Sequence, residues 1–308
     1  MLNISISVLP IFILLLLGVV FSKHSFPFDG FWAGVDKLVY WVLFPALLFN
    51  KTSQINFSDP LFEDYAIILL SALFFVTIVS IVWSWSQKMP PPTSSSFLQA
   101  CIRFNTFVVL AVAEAVYGDV GLLYAALGAS ILIPSINIML VLYMVFAHGK
   151  KDVRITQLII KEIVKNPLII GIYLGVSTNL LGFERIFIVS QMAEILSQAT
   201  LPLVLLAVGA GLKFNELKEG WRYAVSSSVF RFILFPVCIA ILCSLFKVEG
   251  IPAVVAICFG AVPTATSGYA LAKQMGGNAP LIAALISTQT AISLLILPLT
   301  IWFAQSYF

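Results

Sequence analysis

Gly260-Ala-Val-Pro263-Thr264-Ala-Thr266-Ser267-Gly268 interrupts an apolar run, residues 251–274, that is otherwise long enough to cross a bilayer. Pro263 removes one backbone donor and clashes with the preceding turn, so a helix through it must bend or break. The hydroxyls of Thr264, Thr266 and Ser267 stand where freed backbone groups need partners, or where an ion could be held. Unwound backbone is tolerated at membrane depth only where protein or a water-filled cavity surrounds it. The stretch therefore predicts a broken membrane helix beside an internal cavity.

The same interruption occurs 158 residues earlier, where Arg103-Phe-Asn105-Thr106 puts Asn105 in register with Pro263 and Thr106 with Thr264. Gly118 and Gly276 share that offset; Pro10 and Pro167, Gly18 and Gly175, and Pro45 and Pro202 are 157 apart. Proline and glycine punctuate helices, so this register predicts a duplicated unit of roughly 155 residues. Apolar windows give ten spans, at about 5–22, 31–50, 62–85, 96–117, 120–147, 156–178, 186–211, 221–246, 251–274 and 279–304. Five spans per unit is an odd number, so the second unit, 150–308, would enter the membrane inverted relative to the first, 1–149. The expected fold is an all-α integral membrane protein of ten transmembrane helices, two inverted five-helix repeats with broken, crossing helices 4 and 9. Inverted repeats with broken helices are a design of secondary transporters.

Composition agrees with a chain whose solvent is lipid. Of 308 residues, 60% are hydrophobic and 10% charged, against about 25% charged in soluble domains. The net charge of +3, with no basic run interleaved with aromatics, gives no sign of a nucleic-acid partner. Four cysteines lie in apolar runs without ligand spacing, and the two histidines, His24 and His148, lie in loops. No metal site or cofactor is expected. No Walker loop, Gly-x-Ser-x-Gly or His-Glu-x-x-His occurs, so nothing points to an enzyme. The first apolar run has no basic segment before it and no small-residue cleavage site before Lys23, and reads as a retained span. With the N-terminus outside, thirteen Lys and Arg fall on the cytoplasmic side and three, Lys51, Arg185 and Lys247, on the outer side. Both termini are therefore expected outside a cell membrane.

Arg231, in Val229-Phe-Arg-Phe-Ile, lies mid-span, where a charge is expensive. It is either a functional group or an arginine that snorkels or pairs with Glu114 or Glu194. Glu114, late in span 4, is either a proton carrier or a solvated surface acid. Arg103 and Lys273 read as interfacial anchors. Ser130, Ser135 and Asn137 in span 5, and the run Ser287-Thr-Gln289-Thr-Ala-Ile-Ser293 in span 10, are expected to face the bundle interior.

Leu43-Phe-Pro-Ala-Leu-Leu-Phe49, Asn105-Thr106 with Tyr117-Gly118, Lys165-Asn-Pro-Leu168, Leu201-Pro-Leu-Val-Leu-Leu-Ala-Val-Gly209 and Pro263 through Lys273 appear in order along the whole chain. In this the sequence resembles the auxin efflux carrier family, which includes plant PIN-type carriers and many bacterial permeases. The resemblance implies a ten-helix inverted-repeat transporter, a moving subdomain of spans 3–5 and 8–10 against a scaffold of spans 1, 2, 6 and 7, and a substrate site where spans 4 and 9 cross. It places Asn105 and Pro263 at that crossing, and it implies homodimerisation. Span 4 departs from the family in lacking a proline at its break, and the long polar central loop of plant members is missing, as in short bacterial-type members.

The function expected is therefore alternating-access transport of a small organic anion, a carboxylate or auxin-like acid. Asn105, Thr106, Pro263, Thr264, Thr266, Ser267 and Arg231 are the expected substrate-binding residues, with helix dipoles assisting. Glu114 and Gln289 are the expected ion-coupling residues, the first for a proton. Thr264, Thr266, Ser267 and Gln289 are oxygen donors for sodium, as in the distantly similar bile-acid symporters, but few buried carboxylates set sodium behind the proton. A channel or a ligand-sensing membrane protein on the same scaffold is the alternative.

Overall fold

The computed structural model describes residues 2–54, 61–147, 166–181, 187–212 and 220–308. The beginning of span 6, the boundary between the two expected units, and Arg185, Lys213 and Lys218 lie outside the described residues. Every named element is helical: α1 (Leu2–Lys23), α2 (Phe31–Leu38), α3 (Phe44–Thr52), α4 (Leu61–Ser86), α5 (Pro91–Ile102), α6 (Thr106–Ala147), α7 (Pro167–Leu180), α8 (Phe187–Ala210), α9 (Trp221–Val229), α10 (Phe235–Phe246), α11 (Gly250–Ala261), α12 (Ser267–Met275) and α13 (Ala279–Tyr307). Among the described residues seven helical stretches are long and apolar enough to cross a membrane, and α7 and α11 are shorter apolar helices.

The surface is arranged for lipid. Along α4 the exposed side chains include Phe74, Phe75, Ile78, Val82 and Trp85, while Thr77, Ser80 and Ser84 are buried. In water that distribution would be reversed. In a bilayer, apolar side chains face acyl chains, and small hydroxyls pack helix against helix.

Two prolines shape the long helices from within. Pro45 and Pro236 each follow a Leu-Phe pair, and each is preceded by one π-helical turn, Val39–Leu43 and Phe230–Leu234. A proline ring clashes with the carbonyl four residues earlier, and a wider turn makes room for it. The π turns therefore let α2 run into α3, and α9 into α10, without a break. Gly118 does the opposite. Its φ of 61° and ψ of −146° divide α6 into two helices at the junction expected between spans 4 and 5.

Packing is reciprocal. α1 lies on α8, α7 lies on α3, and α3 meets α8. A Cβ on Gly18 would sit 2.0 Å from the Leu206 carbonyl oxygen, and one on Gly209 would sit 2.0 Å from that of Leu15. Only glycine allows α1 and α8 to approach this closely.

Candidate functional site

The site is assembled from two helices that stop and restart. α5 ends at Arg103 (φ −80°, ψ 111°) and the chain resumes as α6 at Thr106. α11 ends at Val262 (φ −80°, ψ 153°) and the chain resumes as α12 at Ser267. The two short extended segments lie antiparallel. Phe104 forms a bridge with Thr264, and the Asn105 N–H donates to the Pro263 carbonyl at 2.8 Å. Residues in register in the sequence thus meet in space.

Side chains satisfy the helix ends that these breaks create. Asn105 Oδ1 accepts from the N–H groups of Phe107 at 3.1 Å and Val108 at 3.2 Å, which caps α6. Its Nδ2 is buried with no hydrogen-bond partner. Gln289 Oε1 lies 3.1 Å from the Thr264 nitrogen and 2.6 Å from Thr264 Oγ1. Gln289 Nε2 donates to the Ala100 carbonyl at 3.2 Å, and that carbonyl is also 2.9 Å from Thr264 Oγ1. Gln289, from α13, thereby ties the last turn of α5 to the break before α12.

Arg231 lies in the π turn ahead of Pro236 and is fully buried. Its Nε donates to the Val262 carbonyl at 2.6 Å, and Nη2 donates to that of Phe259. Nη1 reaches the carbonyls of Ile102 at 3.3 Å and Cys101 at 3.4 Å. The guanidinium therefore sits between the C-terminal ends of α5 and α11. It does not pair with Glu114 or Glu194.

On the other side of the crossing lies a cavity of about 640 Å³, within the usual range for small-molecule sites. Its wall includes Arg103, Phe104, Thr106, Phe107, Asn137, Asn166, Thr266, Ser267 and Ser287, with the exposed residues Asp36, Lys37 and Gln274 at one end. Arg103 is held in place by hydrogen bonds from Nε to Ser267 Oγ at 3.2 Å and from Nη1 to Asn137 Oδ1 at 3.1 Å. The N-terminal ends of α6 and α12 bring Thr106, Thr266 and Ser267 to the same wall. One guanidinium and two positive helix ends make this face suited to an anion.

The expected site residues thus divide into three groups. Thr106, Thr266 and Ser267 line the cavity. Asn105, Pro263, Thr264, Gln289 and Arg231 are buried behind the wall, where they shape the breaks. Glu114 is exposed at the opposite end, near Lys51 and Asp119, whose ion pair measures 2.5 Å. Arg103, read from sequence as an interfacial anchor, is instead a cavity residue; its position two residues before Asn105 was the available signal. Asn166 also lines the cavity, and its Oδ1 caps α7 by accepting from the Leu168 N–H at 3.0 Å. The signal there was the Asn-Pro pair, a cap followed by a first-turn proline.

A sequence model of the membrane transport protein family matches residues 3–301. The chain is 25% identical over 279 residues to an uncharacterized transporter of Methanocaldococcus jannaschii, covering 87% of this chain and 88% of the relative. It is 23% identical over 302 residues to an uncharacterized transporter of Methanothermobacter thermautotrophicus, covering 95% and 96%. Helices of membrane-spanning length, a family match along nearly the whole chain and relatives named as transporters agree: the chain belongs to the membrane transport protein family, the auxin efflux carrier type, and is a multi-pass membrane transporter.

Proposed function

We propose that this transporter is a secondary carrier of a small organic anion, working by alternating access around the crossing. The observation that carries the reading is the cavity of about 640 Å³ walled by Arg103 and by the N-terminal ends of α6 and α12. A carboxylate there would accept from Arg103 and from the hydroxyls of Thr106, Thr266 and Ser267, while Phe104 and Phe107 would contact its apolar part. Asn105 and Pro263 shape the site from behind, with Thr264.

The architecture proposed is ten spans in two inverted units, 1–149 and 150–308. The reciprocal packing of α1 on α8 and α7 on α3 supports it, because units related by a two-fold axis exchange contacts in this way. Spans 3–5 and 8–10 would move against spans 1, 2, 6 and 7, in a cell membrane with both termini outside and two copies per assembly. On that orientation Lys37 and Gln274 lie at the cytoplasmic end, so the cavity opens inward and the Lys51–Asp119 pair closes the outer end. Glu114, beside that pair, is the acid placed to take up a proton when the outer end opens.

Counterflow in proteoliposomes with labelled mono- and dicarboxylates tests the reading. Accelerated exchange of one acid, with KM raised at least about tenfold by Arg103→Gln, is expected for loss of a charge-assisted contact. No exchange of any acid would refute the organic-anion assignment. Ion currents at diffusive rates would make the protein a channel, and binding without flux a sensor.

A further inference from the structure

Arg231 is a full charge at the centre of the bundle, and among the described residues no carboxylate pairs with it. Such a charge is expensive unless something of opposite sign surrounds it. Here the surroundings are backbone. The carbonyls of Cys101 and Ile102 belong to the last turn of α5, that of Phe259 to the last turn of α11, and that of Val262 to the residue that ends it. Each helix C-terminus carries about half a negative charge, so the two ends together balance roughly one positive charge. The planar fork of arginine can donate to both at once, which a lysine ammonium cannot do with the same geometry.

Local structure explains how the side chain reaches them. Pro236 forces the π turn Phe230–Leu234, and Arg231 is the second residue of that turn. A π turn rotates the residues within it relative to a regular helix. Its guanidinium carbon lies 5.3 Å from the Phe235 ring centroid, a further favourable contact for a cation.

In carriers with broken, crossing helices, the C-terminal half-helix ends and unwound carbonyls are where a coupling cation binds, while the N-terminal ends face the anionic substrate. In this protein the N-terminal ends line the cavity, and the C-terminal ends are already occupied. We infer that Arg231 is a built-in counter-cation: its guanidinium takes the place of a coupling metal cation at the crossing, so that transport needs no sodium. Arg231 is then a positioning residue that fixes the two breaks, not a ligand of the substrate. The inference rests on the carrier reading for the word coupling, but the occupied cation position is testable without transport.

Thermal unfolding of the purified full-length protein, followed with a thiol-reactive fluorogenic dye on the buried cysteines Cys101, Cys243 and Cys258, reads that position directly. In wild type the melting temperature should be the same in sodium chloride and in choline chloride at equal ionic strength. Arg231→Met keeps much of the volume and loses the charge, and should lower the melting temperature by more than about 5 °C. Arg231→Lys should lose less than half of that. Arg231→Ala leaves the position empty and should melt higher in sodium chloride than in choline chloride at equal ionic strength. Three results would each overturn the inference: Arg231→Met melting with wild type, sodium stabilising wild type over choline, or Arg231→Ala melting equally in the two salts. Where Arg231→Met does not accumulate, the lysine and alanine variants carry the test. In proteoliposomes, wild-type exchange should run at one rate in sodium and in choline, and faster exchange in sodium would also overturn it. Absence of exchange in either salt would count against the carrier reading and leave the melting result standing.

Discussion

The two breaks at the crossing are made differently. The one before α12 has a proline, Pro263, and three hydroxyl residues. The one before α6 has no proline, and its chain leaves the helix at Arg103 and re-enters it under an asparagine cap. Both end up extended, antiparallel and hydrogen-bonded to each other. Proline is therefore not what makes a break at this depth. What the breaks share is that their helix ends have partners: Asn105 on the N–H groups of α6, Gln289 on Thr264 and Ala100, and Arg231 on both C-terminal ends. Proline weakens the regular helix, and the polar side chains make the alternative affordable inside a membrane.

The largest effect should come from Gln289→Leu, which leaves the buried Thr264 N–H without its partner and removes one of the two hydrogen bonds to the Ala100 carbonyl. A loss of about 3 kcal/mol is expected in thermal unfolding, since each buried unpaired group costs about 1–3 kcal/mol. Asn105→Ala should cost about 1–2 kcal/mol, the usual value of an N-cap, and Asn105→Asp should recover most of it because a carboxylate oxygen can accept the same two N–H groups. Pro263→Ala should cost under about 1 kcal/mol, because Arg231 and Gln289 still hold the break and the N–H gained is one helix donor. A Pro263→Ala loss greater than that of Gln289→Leu would reverse the account and make proline the cause.

The smallest effect belongs to the end away from the cavity. Lys51 donates to Asp119 and holds its carboxyl below the usual carboxylate value. A depressed value in the folded state means stability that is present above the unfolded value, about 3.9, and lost as pH falls through the folded one. The Asp119 side chain is 86% exposed, so solvent screens the pair and its worth is under about 1 kcal/mol. Asp119→Asn should leave the melting temperature within about 2 °C of wild type near neutral pH, and should remove this pair's share of the loss below about pH 4. A larger shift at neutral pH would show that the pair does more than close a surface contact.

Much of this was legible in the sequence because it lies in residues that act through the backbone. Pro263, Asn105 and Gly118 announce their breaks by type and position, and the polar run from Ser287 to Ser293 announces an inward face. Arg231 was legible as costly but not as to its partners, because backbone carbonyls carry no sequence signal and these come from breaks about 130 and 30 residues away. Arg103 was misjudged because distance from a span's end suggests an interface, and only the break at Asn105 brings the cavity down to it. The π turns were invisible until Leu43-Phe-Pro45 and Leu234-Phe-Pro236 were seen to share one geometry. Glu114 stands late in span 4 in the sequence, where a proton carrier and a solvated acid look alike, and it is exposed near Gly118, at the end opposite the cavity.

Under the proposed mechanism, substrate alternates between the two sides at the crossing cavity. Ser267 is exposed on its wall and sits at the start of α12. A single Ser267→Cys variant, labelled in proteoliposomes with a membrane-impermeant thiol reagent added to one side or the other, tests the claim most directly. Alternating access there should give labelling from both sides during exchange, at different rates, and protection by the acid that is transported. Labelling from one side only, unchanged by every acid that exchanges, would contradict it.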